Sequence, residues 1–211
     1  MNNASNKPGI WIIGTGGHAR VVLDLALACG HAVKGFIEPR SDSVPGSFGD
    51  AYTVLRGLDT LGDIDSPAVV IGIGDNKHRR ESSAQAGSMG AGLVMLVHPS
   101  AFVEASAEIE AGSAVCIGAI VNSAARVGTG AIINSGAIVE HDCEIGAFAH
   151  ICPGANLAGQ VTVCEGAMVG LGASVIQGVT IGAGAVVGAG AVVLGDVPAG
   201  ATVVGVPARA V

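Results

Sequence analysis

The chain has 211 residues, a length that fits one domain or two small ones. Half of the residues are apolar, but only 3% are aromatic and 34 are glycine, so the core must be thin and filled by small and β-branched side chains. The formal net charge of −7 argues against a nucleic-acid partner, which needs a basic face.

The N-terminal residues 1–8 are polar and lack the apolar stretch of a signal peptide. The sequence contains no run of 18 apolar residues, so no membrane partner is expected. The five cysteines form no CxxC pair for a metal and suit a reducing compartment. We therefore expect a cytoplasmic protein without a bound metal.

Strands and helices alternate in the first half of the chain. The predicted strands cover residues 10–13, 33–37, 69–73 and 93–97, and the predicted helices cover residues 20–29 and 77–89. This alternation indicates an α/β domain with a small Rossmann-like parallel sheet. The boundary is predicted near His98, which gives two domains, 1–97 and 98–211.

A glycine-rich loop follows the first predicted strand. Gly14, Gly16 and Ala19 match the pattern G-x-G-x-x-G/A between a strand and a helix, where backbone N–H groups can receive a phosphate. Glu38 lies 24 residues after Gly14 and could accept a hydrogen bond from a ribose hydroxyl. The domain is about half the length of a full dinucleotide fold, so a mononucleotide moiety fits better than NAD.

A six-residue repeat fills the second half of the chain. Every sixth residue from Val103 to Val193 is Ile, Leu or Val, and a column of mostly small residues lies two positions before each of them. A period of six matches neither an α-helix nor an alternating strand, and collagen would need Gly at every third position. The repeat therefore predicts a parallel β-helix in which three hexads form one triangular coil of 18 residues.

His141 lies in a predicted turn of this β-helix, directly before Asp142. A histidine beside a carboxylate suits general-base catalysis, because the carboxylate fixes the imidazole tautomer. A solvated turn histidine with an incidental acidic neighbour is the alternative. Cys143 follows in the inward small-residue column, so we interpret it as a packing residue and not as a nucleophile.

Several segments together resemble the sialic-acid O-acetyltransferase-like family of bacterial sugar acetyltransferases, which includes UDP-4-amino-sugar and GDP-perosamine N-acetyltransferases. The resemblance covers nearly the whole chain. It rests on the run Ile-Asn-Ser-Gly-Ala-Ile-Val-Glu-His-Asp-Cys at 133–143, the glycine loop at 14–18, Gly-Ile-Gly-Asp-Asn at 72–76, His-Pro-Ser at 98–100 and the tail Gly-Val-Pro-Ala-Arg at 205–209.

This resemblance implies a left-handed β-helix, a homotrimer and transfer of an acetyl group from acetyl-CoA to the amino group of a nucleotide-linked sugar, for cell-surface polysaccharide or glycan synthesis. It implies that the base is His141 and that Asp142 polarises it. The implied acetyl-CoA contacts are His150, Leu171, Ala189 and Arg209. The implied substrate contacts are Gly16, Gly17, His18, Glu38 and Asn134.

Three alternative functions stay open at this point. O-acetylation of a sialic acid or another sugar would use the same scaffold, and spacing does not separate amine from hydroxyl acceptors. A γ-type carbonic anhydrase also trimerises a β-helix, but it needs three histidines around zinc, and His141 and His150 are the only two in this repeat. A non-catalytic nucleotide-sugar sensor would bind its ligand without releasing CoA thiol.

Overall fold

The computed structural model describes residues 9–40, 48 and 51–211. The chain forms two compact units, Met1–Leu96 and Val97–Val211. Among the described residues, no helix is long and apolar enough to span a bilayer.

The first unit is built on a five-stranded parallel sheet. Its strands are β1 (Ile10–Ile13), β2 (Val33–Glu38), β3 (Thr53–Arg56), β4 (Ala68–Ile71) and β5 (Gly92–Leu93). Helix α1 (Gly17–Ala28) follows β1, a 3₁₀ helix covers Leu58–Asp63, and helix α2 (Asn76–Ser88) follows β4. The order of strands in the sheet is β3-β2-β1-β4-β5.

This strand order creates a crevice at the end of β1. The chain goes from β1 to β2 and β3 on one side, and then crosses back to place β4 and β5 on the other side. Ligands of open α/β sheets bind at such a switch point, at the carboxyl ends of the strands. The glycine loop follows β1 directly and therefore lies at this position.

Several element bounds differ from the prediction. Helix α1 begins at Gly17, three residues before the predicted start, so the last two residues of the glycine loop, Gly17 and His18, belong to the first helical turn. Strand β4 ends at Ile71, before the glycines of the next loop. Strand β3 and the 3₁₀ helix were not predicted, because Thr53–Arg56 is only partly buried and carries no apolar run.

The single strand predicted at 93–97 was wrong. Gly92–Leu93 pairs with β4 in the first unit, whereas Leu96–Val97 belongs to another sheet and pairs beside Ala114–Val115. One apolar run therefore contributes strands to two different sheets. The boundary between the two units falls between Leu96 and Val97. Hydrophobicity is the same on both sides of this break, so the run showed no interruption.

The second unit is a left-handed parallel β-helix with three sheets, here named I, II and III. Sheet I contains Leu96–Val97, Ala114–Val115, Ile132–Ile133, His150–Ile151, Met168–Val169, Val186–Val187, Thr202–Val204 and Arg209–Ala210. Sheet II contains Phe102–Val103, Ile120–Val121, Ile138–Val139, Asn156–Leu157, Ser174–Val175 and Val192–Val193. Sheet III contains Glu108–Ile109, Arg126–Val127, Glu144–Ile145, Thr162–Val163 and Thr180–Ile181.

Up to Val192–Val193, consecutive strands of each sheet pair in parallel at a spacing of 18 residues, as Ile132 pairs with His150 and His150 with Met168. At the end of sheet I the spacing shortens, because Val186 pairs with Thr202, and the last strand, Arg209–Ala210, pairs antiparallel to Thr202–Val204. The predicted aliphatic and small-residue columns form one continuous buried core. The aliphatic residues of the first coil are more exposed to solvent than those of the later coils, since Val103 and Ile109 are only half-buried. This confirms the hexad pattern and gives an interior that excludes charge.

The turns between sheets share one backbone conformation. The third residue of each turn has a positive φ from Gly112 to Gly190, and most of these residues are glycine. The exceptions are Ala124, Asp142, Phe148 and Gln160, with φ between 55° and 62°. A side chain at such a position costs conformational energy, which a contact that glycine could not make can offset.

Candidate active site

His141 and Asp142 form a hydrogen-bonded pair in the turn between sheets II and III. The turn follows Ile138–Val139 and precedes Glu144–Ile145. His141 Nδ1 lies 2.8 Å from Asp142 Oδ2, and both side chains are about half exposed, at 52% and 54%. Because the carboxylate accepts a hydrogen bond from Nδ1–H, Nε2 of the neutral imidazole carries the lone pair.

Asp142 is one of the four non-glycine residues with a left-handed backbone in the turns of the β-helix, at φ 58°. Its N–H donates to the carbonyl of Ser123 in the preceding coil, at 3.0 Å. Asp tolerates this conformation better than most residues do, yet glycine fills the equivalent place in most turns. The carboxylate is therefore present at a position where the backbone favours glycine.

Cys143, the next residue, is buried in the core column and completely inaccessible to solvent. Its thiol donates to the carbonyl oxygen of Ala158, with an Sγ–O distance of 3.2 Å. Burial raises the pKa of this thiol, which disfavours the thiolate that a nucleophile needs. These contacts fit packing and do not fit covalent catalysis.

Asn134 and His150 form a second polar pair between neighbouring coils. Asn134 lies at the corner between sheets I and II, and His150 lies on the sheet I strand of the next coil. Asn134 Nδ2 lies 3.0 Å from His150 Nε2, and Asn134 Oδ1 accepts the N–H of Ser135 at 2.8 Å. The amide orientation is fixed by this second bond, so the NH₂ group faces the imidazole. His150 Nε2 then accepts a hydrogen bond and Nδ1 carries the proton.

Leu171 and Ala189 stack in adjacent coils at this same corner, and Gly190 N–H donates to the carbonyl of Leu171 at 2.7 Å. Leu171 is 58% exposed. Arg209 lies on the terminal strand, which pairs antiparallel to Thr202–Val204, and its side chain is exposed. Arg126, the other cationic residue after His98, is bound by Glu108 at 3.7 Å and Glu144 at 3.4 Å.

The predicted catalytic and acetyl-CoA residues do not converge within one chain. His141 lies at the corner between sheets II and III, whereas Asn134, Leu171 and Ala189 lie at the corner between sheets I and II. Sheet II separates the two corners. Within one chain, a site that uses both groups would have to extend across sheet II from one corner to the other.

The predicted substrate residues of the first unit surround one cavity of about 570 Å³. Gly16, Gly17, His18 and Glu38 all line it, together with Arg40 and residues of the loop that follows β4. The volume is typical of a small-molecule site. A Cβ atom at Gly16 or Gly17 would meet no protein atom within 4 Å, so packing within the chain does not require glycine at these two positions.

Thr15 and Arg40 were missed by the sequence analysis but organise Glu38. The Thr15 hydroxyl donates a hydrogen bond to Glu38 Oε2, and the Arg40 N–H donates to Oε1 at 3.4 Å. Glu38 is only 7% exposed. The two residues orient a buried carboxylate toward the cavity, and no sequence motif singled them out.

Arg79 is a third residue that the sequence did not reveal, because it lies in a polar helix and yet is only 1% exposed. Its guanidinium donates to the carbonyl of Gly74 at 2.9 Å and to Asn76 Oδ1 at 2.9 Å. Burial and the nearby Arg79 charge lower the pKa of His18 from 6.5 to about 4. His18 is therefore neutral at physiological pH and offers a hydrogen bond without a charge.

Within the described part of the chain, no group of three or more His, Cys, Asp or Glu residues is placed to hold a metal ion. The five cysteines all lie in this part, and none forms a disulfide.

Comparison with known proteins agrees with this architecture in both units. The PglD N-terminal domain model matches residues 9–86. A histidine-to-alanine variant of GDP-perosamine N-acetyltransferase from Caulobacter crescentus, solved with CoA and GDP-perosamine, is 40% identical, with 96% of each chain covered and a TM-score of 0.90. No curated protein gave a significant sequence match.

Two further solved structures cover almost all of the chain. The acetyltransferase domain of PglB from Neisseria gonorrhoeae FA1090, in complex with acetyl coenzyme A, is 36% identical over 98% of this chain and 100% of its own, with a TM-score of 0.90. WeeI from Acinetobacter baumannii AYE is 30% identical over 97% and 100%, with a TM-score of 0.87. The chain therefore belongs to the family of nucleotide-sugar N-acetyltransferases that contains GDP-perosamine N-acetyltransferase.

Proposed function

We propose that the protein transfers the acetyl group of acetyl-CoA directly to the amino group of a nucleotide-linked sugar, with His141 as the general base. The observation that carries this proposal is the His141–Asp142 pair at 2.8 Å, which leaves Nε2 at an exposed corner. An amine attacks a thioester carbonyl as the free base, so its proton must leave. Nε2 receives that proton while the new N–C bond forms and the C–S bond breaks, and CoA leaves as a thiolate that takes up a proton to become the free thiol.

Asp142 supports this transfer in two ways. Its hydrogen bond to Nδ1 holds the imidazole in the tautomer that has a lone pair on Nε2. Its negative charge then stabilises the imidazolium that forms when the proton arrives. The presence of a carboxylate at a left-handed position fits this role.

The cavity of the first unit holds the nucleotide of the substrate in this account. A phosphate can approach the backbone at Gly16 and Gly17, next to the N-terminus of α1, because no protein atom fills the space beside these glycines. The buried Glu38 carboxylate suits a ribose hydroxyl. Neutral His18 contributes a hydrogen bond. The residues of this assignment are the ones that the sequence analysis proposed.

Acetyl-CoA is expected along the corner that carries Leu171 and Ala189. His150 would present its Nδ1 proton near the thioester, and Arg209 would meet a phosphate, since Arg126 is already bound by two carboxylates. The sequence analysis placed Asn134 near the sugar. Its contacts to His150 and Ser135 favour a different role, in which it orients His150.

The active assembly is expected to be a homotrimer. Because His141 and the acetyl-CoA corner lie on either side of sheet II, one subunit supplies the base and its neighbour supplies the acetyl-CoA contacts. Light scattering should show three chains per particle. A stable monomer with full activity would refute this arrangement.

We also expect the reaction in the cytoplasm, the compartment that supplies acetyl-CoA.

The acceptor can be identified by release of free CoA thiol. UDP-, GDP- and dTDP-linked 4-amino sugars should be compared with the matching sugars that carry a hydroxyl group in place of the amine. N-acetyltransfer predicts thiol release only with an amino sugar. Release with the hydroxyl sugars alone would favour O-acetylation, and binding without any release would favour the sensor.

A further inference from the structure

Gly159 occupies an unusual place in the hexad pattern. It lies two residues after the buried Leu157, at the position that His141 fills one coil earlier. Among the equivalent residues that follow each aliphatic residue from Val103 to Val193, only Gly159 and Gly195 are glycine. Side chains are accepted at all the other equivalent positions, so the fold itself does not demand glycine here.

Backbone conformation does not explain this glycine either. Gly159 is not among the residues with a positive φ, in contrast to the glycines that close most turns. Its backbone is held in register with the neighbouring coils, because Gln160 N–H donates to the carbonyl of His141 at 2.9 Å and Gly178 N–H donates to the carbonyl of Gly159 at 3.1 Å.

The His141 imidazole occupies the space that a side chain at 159 would need. A Cβ atom on Gly159 would lie 2.5 Å from Nε2, 2.5 Å from Cε1 and 3.1 Å from Cδ2 of that ring. These are the three atoms nearest to such a Cβ. Ordinary contact begins near 3.4 Å, so the ring would have to move by about an ångström.

We propose that Gly159 is a positioning residue for the transfer reaction, because its missing side chain lets the His141 imidazole lie against the next coil with Nε2 in place. Asp142 fixes the ring at Nδ1, and Gly159 sets the position of the opposite edge. The inference rests on the proposed function, in which Nε2 is the proton acceptor. A displacement of about an ångström at a reacting group can lower the rate of reaction by about 100-fold.

Gly159→Ala is the direct test. The variant should lower kcat by about 10- to 100-fold and change both KM values by less than about threefold, because the substrates bind elsewhere while the base is displaced. Gly195→Ala is the matched control, since it lies at the same corner two coils further on and a Cβ there meets nothing within 4 Å. The control should keep the kcat and melting temperature of the native protein.

A double-mutant cycle separates positioning from a general structural effect. If Gly159 acts only through the imidazole, Gly159→Ala should cost nothing further in a His141→Ala background. An equal loss in both backgrounds would overturn the inference. So would a Gly159→Ala protein with native kcat beside an impaired His141→Ala protein.

NMR of protein with ¹⁵N-labelled histidine gives a readout that does not depend on activity. The ring signals of His141, assigned as those lost in His141→Ala, should shift in Gly159→Ala and stay in Gly195→Ala. Shifted signals together with native kcat in His141→Ala would mean that the positioning is right but the proposed base is wrong. Unshifted signals in Gly159→Ala would mean that the positioning itself is wrong.

Discussion

His141 Nδ1 lies 2.8 Å from Oδ2 of Asp142, the residue that follows it in the chain. The pairing is local, but it depends on the left-handed backbone of Asp142, where φ is 58°. This turn therefore combines the contact that we propose to orient the base with a backbone conformation that glycine would adopt at lower energy. Stability and activity should separate at this residue.

Replacing Asp142 should reveal that separation. Asp142→Gly relaxes the backbone, so the free energy of unfolding should stay the same or rise by up to about 1 kcal/mol. Its kcat should fall, because the imidazole loses both its orientation and its charge partner. Asp142→Asn should also lower kcat, though by less than His141→Ala, since the imidazole remains. Urea unfolding and steady-state kinetics measure the two effects, and native kcat in Asp142→Gly would contradict the assigned role.

Cys143→Ala should retain most of the activity. The thiol is buried, donates to the carbonyl oxygen of Ala158 and has a raised pKa, so it is a poor nucleophile. Mass spectrometry of the native protein mixed with acetyl-CoA should find no acetyl-enzyme. An inactive Cys143→Ala protein, or an acetylated enzyme that accumulates, would rule out direct transfer.

The sequence predicted the β-helix well because its period of six is set by the geometry of the coil itself. Each aliphatic residue from Val115 to Val193 is buried where the hexad pattern expected it. The turn position of His141 followed from the same count. Strand β3 and the break within residues 93–97 were missed, because neither segment carries a periodic signal strong enough to reveal its pairing partner.

The contacts that complete the sites were harder to predict. The Thr15 hydroxyl reaches Glu38, which lies far along the chain and comes close only when β1 and β2 pair, and the Arg79 guanidinium turns back onto Gly74 and Asn76 at the start of its own helix. The Asn134–His150 hydrogen bond joins residues one coil apart, which the 18-residue period brings together only approximately. The spacing of residues in the sequence predicts the coil and the corner in which a residue lies. It does not predict the direction in which its side chain points.

The hexad pattern can be tested with a matched pair of variants in one strand. Ile151 is fully buried, so Ile151→Asp should cost several kcal/mol, because an unpaired carboxylate would enter the core. His150 is the outward neighbour, and His150→Ala should melt near the native temperature while acetyl-CoA is used less efficiently. Thermal unfolding measures the melting temperature of each variant. A similar decrease in melting temperature in both variants would mean that the inward and outward faces of the strand are misassigned.

Stability of the first unit should depend on pH through His18. Burial and Arg79 lower the pKa of His18 to about 4 in the folded chain, against 6.5 for a free imidazole. The unfolded chain therefore takes up the extra proton as pH falls below 6.5, and the free energy of unfolding falls between pH 6.5 and 4, by at most about 3 kcal/mol. His18→Gln should show a smaller loss over this range in urea unfolding. An unchanged slope would show that His18 titrates normally.

The kcat of His141→Ala tests the central claim most directly. With the correct nucleotide-linked amino sugar and saturating acetyl-CoA, loss of a positioned general base should lower kcat by about 10²–10⁴-fold. The KM values should change much less, because the proposed binding residues lie in the cavity of the first unit and at the acetyl-CoA corner and do not include His141. A His141→Ala protein that folds normally and keeps near-native kcat would show that His141 is only a turn residue and that the base lies elsewhere.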